Sequence, residues 1–221
     1  MKKINNNKRK KDLKMNISKT HNQAYIKYIG YLGLSLLLTT LGTYCGGFLI
    51  PYLTKQLLIG YCIMSLVLVI GFCFSSGELK KILFYVFTFG EGIMLSPILS
   101  IMTKVSIYKC LGITTGIVII FALLGLLFKN LSFMGNILFG LLISLLGLTI
   151  LSMFVPLPFL AYLGLGIFCL YLMYDINKFK LDSQYGYYMD DDMILNAVIV
   201  IYLDILNILL YIIEIFGDSD D

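Results

Sequence analysis

Tryptophan is absent from these 221 residues, and histidine (His21) and arginine (Arg9) occur once each. Charged residues make up only 14% of the chain, against about 25% in an average soluble domain. With 59% hydrophobic residues and a mean hydropathy of +0.88, both a disordered polypeptide and an ordinary water-soluble enzyme are excluded. The five cysteines (Cys45, Cys62, Cys73, Cys110, Cys169) are scattered and form no CxxC pair. Beside one histidine they leave no ligand set for zinc or copper, and they read as small apolar packing residues. HExxH, GxSxG, GxxxxGKS/T and GxGxxG are all missing, so hydrolase, nucleotide and dinucleotide chemistry lack their usual carriers. No resident cofactor is expected.

What is present is length of apolar run. A membrane helix needs about 20 apolar residues to cross about 30 Å of hydrocarbon. Uncharged stretches run over 28–54, 56–77 and 110–128, and a fourth over 82–103 is interrupted only by Glu91. Residues 130–174 carry no charge at all; as one helix they would extend about 68 Å, too far for one crossing. Pro156 and Pro158 divide them, because proline lacks the N–H that a continuing helix requires. A last run, 193–215, contains Asp204 and ends at Glu214. The expectation is an all-α membrane protein: a basic tail (1–27), a seven-transmembrane-helix bundle (28–217) and an acidic end (218–221).

Lysine and arginine orient such a bundle, since they accumulate on the cytoplasmic side. With seven crossings, the tail and the loops after the second, fourth and sixth spans carry fourteen positive residues, and the opposite side three (Lys55, Lys104, Lys109). The N-terminus is therefore expected in the cytoplasm. Beside a span, the basic tail reads as a contact for anionic headgroups rather than nucleic acid. The run that follows is too long for a cleavable signal. Asn16-Ile-Ser18 and Asn130-Leu-Ser132 match the glycosylation pattern by chance, being on the cytoplasmic side. Tyr25, Tyr28, Tyr52, Tyr108 and the Tyr185/Tyr187/Tyr188 cluster suit the interfaces. Gly30, Gly33, Gly42, Gly46 and Gly47, with Gly164 and Gly166, suit close helix approach. The Ile-, Lys- and Asn-rich composition favours a bacterial plasma membrane, with the endoplasmic reticulum as the alternative.

Ionisable groups at depth are few, and each costs at least about 2.5–3.5 kcal/mol to insert. Glu214, at a span end, is placed to reach water. Glu91 reads either as a pathway ligand or as a protonated carboxyl bonded to a neighbouring helix. Asp204 lies about 16 Å along the last span, near the midplane, with Asn207 and Tyr211 on the same helical face. Asp175 closes the sixth span; alone it reads as a boundary charge, but on consecutive antiparallel helices it is placed to meet Asp204.

Leu170-Tyr-Leu-Met-Tyr-Asp-Ile-Asn-Lys178 and Ala197-Val-Ile-Val-Ile-Tyr-Leu-Asp-Ile-Leu-Asn-Ile-Leu209 resemble the transmembrane Bax inhibitor motif family, and Phe87-Thr-Phe-Gly-Glu-Gly-Ile-Met-Leu-Ser-Pro-Ile98 resembles its third span. The resemblance covers about residues 28–217. It implies a seven-helix bundle with the last helix central and a pH-sensitive calcium leak through a paired-aspartate pathway, the pair being Asp175 and Asp204. Two departures stand out. The 177–192 loop is long and carries an acidic run, Asp190–Asp192. The arginine latch of some bacterial members has no counterpart, and Lys80 or Lys81 would replace it without the bidentate fork.

Two carboxylates 4 Å apart repel by about 4 kcal/mol at an effective dielectric of about 20, so the pair is expected to share a proton. Shared, the proton holds the two helices together; without it they repel and offer oxygens to a cation. Calcium takes six to eight oxygens, so Asp175 and Asp204 would bind it weakly, as suits passage. Calcium, protons and lipid are the expected partners; protein partners are not legible. Two rival readings remain. An intramembrane aspartyl protease also pairs two aspartates, but its Gly-x-Gly-Asp is missing, Gly164-Leu-Gly166 being followed by Ile167. An interaction protein would use the aspartates only to lock helices.

Overall fold

Apolar runs separated by capping residues and prolines become helices in the computed structural model, which describes residues 2–52, 54–184 and 190–217, with side chains except at 2–21, 55, 58 and 62. Seven α-helices follow in order: α1 (Lys2–Leu49), α2 (Lys55–Phe74), α3 (Gly77–Ser100), α4 (Lys104–Leu127), α5 (Met134–Ser152), α6 (Leu160–Gln184) and α7 (Asp191–Phe216). A short 3-10 turn, Ile50–Tyr52, follows α1, and among the described residues there is no strand. Thr54, Thr103 and Asp190 start α2, α4 and α7 by accepting the N–H of Leu57, Ser106 and Met193, donors left free in a first helical turn.

Six of these helices are long and apolar enough to cross a membrane; in α2 the apolar portion, Ile59–Phe74, is shorter. The helices alternate ends all the same. Lys27 of α1 pairs with Asp191 of α7 at 2.6 Å. At the same end, the N–H of Gly77, the first residue of α3, donates to both carboxylate oxygens of Asp192, 3.0 Å each. Gly77 has a φ of 62°, a left-handed turn that glycine adopts without a Cβ penalty. The opposite end joins Ser106, at the start of α4, to the carbonyl of Phe216, at the close of α7. Cationic loops therefore gather at one end, as the alternation of charge along the sequence requires.

The core lies around α7, which packs on α1, α3, α4 and α6. Ile194, Leu195, Val198, Tyr202, Ile208 and Ile212 are fully enclosed. Outward faces of α2, α4 and α5 are apolar and exposed, as a lipid-facing surface must be. The tightest contact is α1 on α3. A Cβ on Gly92 would overlap the Thr39 backbone, one on Gly42 the Phe89 carbonyl, and one on Gly46 would lie 2.7 Å from Ser96. Gly164 likewise makes room for the Tyr211 ring, whereas Gly30, Gly33, Gly47 and Gly166 face open space, so only some of the small-residue pattern serves packing.

Helix bounds run past the expected spans at two places. The helix of the first span continues into the basic tail, α1 being unbroken from Lys2 with no proline before Pro51, while its membrane-crossing portion begins at Asn22. Of the expected 177–192 loop, residues 177–184 belong to α6 and 191–192 to α7. No glycine or proline falls between Gly166 and Gly186, and Phe179 is buried against the rings of Tyr25 and Tyr28, so α6 runs on to Gln184. Asp175 accordingly sits inside α6, nine residues before its end. The Tyr185/Tyr187/Tyr188 cluster, the acidic end 218–221 and the side chains of His21 and Cys62 lie outside the described residues.

Candidate functional site

Asp175 on α6 and Asp204 on α7 come together. Their carboxyl groups lie close enough to act on one another electrostatically, an arrangement that a single proton held between them would relieve. Asp204 is 4% exposed. The Oδ2 atoms of both residues are buried, and no other described residue supplies them with a donor. Such orphaned oxygens in a dry bundle are costly. Tyr28 of α1 and Tyr171 of α6 stand close enough to feel the charge of both carboxyls.

Between this pair and the cationic end lies a cavity of about 470 Å³. Asp175, Lys178, Phe179 and Asp182 form its α6 wall, and Met193, Asn196, Ala197 and Val200 its α7 wall. Asn196, Val200 and Asp204 recur every fourth residue, so they share one face of α7. The cavity thus opens onto Asp175 directly and stands one helical turn from Asp204.

The remaining polar stripe of α7 also turns toward α6. Tyr211 packs on Phe168 with ring centroids 5.9 Å apart, while the Asn207 amide is turned back onto its own helix, donating to Leu203 at 2.8 Å. Glu214 is exposed. Glu91 lies apart from the aspartates, beside Tyr61 of α2, whose ring covers Gly90. Neither lysine proposed as a latch reaches the pair among the described ion pairs. Lys81 bonds Glu78 at 2.9 Å and Asp191 at 3.3 Å. Lys80 is buried, its Nζ 4.7 Å from the centre of the Phe72 ring. Among the described residues no group of three or more His, Cys, Asp or Glu is placed to hold a metal. Two carboxyls offer calcium a fraction of its coordination shell.

Two devices escaped the sequence reading. Asn177 is 1% exposed and ties the α4–α5 connection to α6: Nδ2 donates to Gly125 and Phe128 at 2.9 and 2.8 Å, and Oδ1 accepts from Leu131 at 2.9 Å. Its place in Asp-Ile-Asn suggested no role, because the partners are backbone groups with no side-chain signature. The acidic run Asp190–Asp192, a departure from the family pattern, caps α7 and fastens it to α1 and α3.

Comparison with known proteins agrees with this architecture. The family model described as inhibitor of apoptosis-promoting Bax1 matches residues 21–221. An uncharacterized protein of Helicobacter pylori (strain J99) is 28% identical over 202 residues, spanning 85% of this chain and 83% of that protein.

Proposed function

The chain belongs to the Bax inhibitor family, and on that premise we propose that it is a pH-sensitive calcium leak pathway, not an enzyme, gated by the Asp175–Asp204 pair. It is an integral, multi-pass membrane protein. In the proposed arrangement α2 also crosses, giving seven spans with the N-terminus cytoplasmic, and the membrane is a bacterial plasma membrane. One observation carries the mechanism: two closely placed carboxyls, buried Asp204 and half-buried Asp175, with Asp175 lining a cavity on the side of the cationic end.

While the proton is shared, the bond holds α6 against α7. Loss of that proton leaves two like charges in a poorly solvated site, with a repulsion of about 4 kcal/mol at 4 Å and an effective dielectric of about 20. That exceeds the 1–3 kcal/mol typical of conformational coupling, enough to drive the helices apart. The freed oxygens then meet a cation weakly, which favours passage over storage. Calcium flux through the full chain in liposomes, followed from about pH 5 to about pH 8, tests the reading. No flux at any pH, with folded protein in the bilayer, would leave the aspartates as a helix lock in an interaction protein.

A further inference from the structure

The cavity that leads to Asp175 holds a cation of its own. Lys178 and Asp182 follow Asp175 along one face of α6, and the opposing α7 wall (Met193, Asn196, Ala197, Val200) is uncharged. The two lysines of this segment have different fates. Lys180 donates to the carbonyls of Leu126 and Phe128 at 2.7 and 2.9 Å and so closes the end of α4. Lys178 faces the cavity, and among the described residues no carboxylate lies within ion-pair distance of its ammonium. Its charge nevertheless acts on Asp175.

We infer that Lys178 is a tethered countercation of this vestibule, which opposes entering divalent cations more than monovalent ones and so sets the cation selectivity of the approach to Asp175. The inference rests on the leak reading for its consequence, though not for its geometry. A fixed positive charge repels a divalent ion twice as strongly as a monovalent ion at the same distance. Lys178 is itself exposed, so its field on the entering ion is screened by salt. Lys178 also cancels one of the carboxylate charges that would otherwise attract the ion. An ammonium on a flexible stem can swing aside, so it regulates entry without closing it.

The test compares wild type, Lys178→Gln and Lys178→Arg as full chains in vesicles of phosphatidylcholine, with and without phosphatidylglycerol. Lys178→Gln is expected to raise calcium entry about threefold to tenfold at low ionic strength, and potassium entry by much less. Lys178→Arg is expected to keep the wild-type ratio. The gain should shrink at about 0.5 M salt, where the Debye length falls to a few ångströms. An unchanged calcium-to-potassium ratio in Lys178→Gln would overturn the inference, as would an effect seen only with the anionic lipid, which would make Lys178 a headgroup contact. If wild type passes no calcium, calorimetric titration of the detergent-solubilised full chain with calcium decides. Tighter binding by Lys178→Gln would support the vestibule while the leak reading fails, and equal or undetectable binding would overturn both.

Discussion

The hydroxyl of Tyr202 on α7 lies 2.7 Å from that of Thr39 on α1, and both approach the Thr88 carbonyl of α3. Tyr202 is two residues from Asp204, hence on the opposite side of the helix. One face of α7 is thus pinned to α1 and α3, while the other meets Asp175. In the proposed gate, separation of the aspartates would leave this face of α7 in place. Tyr202→Phe should cost about 0.6–1.7 kcal/mol, the range for interhelical hydrogen bonds in membranes, measured by denaturant unfolding in detergent. The pH response of flux should survive, because Asp204 keeps its partner.

Asp175→Asn and Asp204→Asn should each reduce calcium flux and flatten its pH dependence, since one carboxyl alone has no proton to share. The double variant should lose little more than the worse single, as members of one unit are non-additive. Flux measured in liposomes across about pH 5–8 decides; fully additive losses, or an intact pH response in both singles, would exclude a shared-proton gate.

Glu91 is separated from the pair and lies beside Tyr61, so its role is open to a direct comparison. If it lines the pathway, Glu91→Gln changes flux per folded molecule, and Tyr61→Phe changes it in the same direction. A loss of folded protein with normal flux per molecule would mark a structural carboxyl.

Asn177→Ala would strand the Gly125 and Phe128 carbonyls and the Leu131 N–H. At about 1–3 kcal/mol for each unsatisfied buried group, partly relieved by water, the loss should be about 2–4 kcal/mol. Asn130→Ala, which removes one exposed bond to Ser132, should cost within about 0.5 kcal/mol. Thermal unfolding in detergent separates the two.

Topology is checked by labelling. In a cysteine-free background, Asn130→Cys should react with an impermeant maleimide only from the cytoplasmic side, and Lys104→Cys only from outside. Reaction of both from one side would mean that α4 does not cross, and the swapped pattern that α2 does not; either would contradict seven crossings with a cytoplasmic N-terminus.

Sequence alone determined the helices, because crossing about 30 Å of hydrocarbon imposes a length and a composition that are local properties of the chain. The proline break before α6, the sidedness of lysine and the two candidate aspartates follow from that same local pattern. Tertiary structure decided what depends on helix rotation and end-to-end register. It placed Asp175 inside α6 and not at its end, because buried Phe179 carried the helix onward. It gave Asn177 three partners more than forty residues away in the chain, and it turned the acidic run at the start of α7 into the fastening for Lys27, Lys81 and Gly77. No periodicity announces such contacts, since hydropathy records how deeply a residue is buried and not which neighbour it faces.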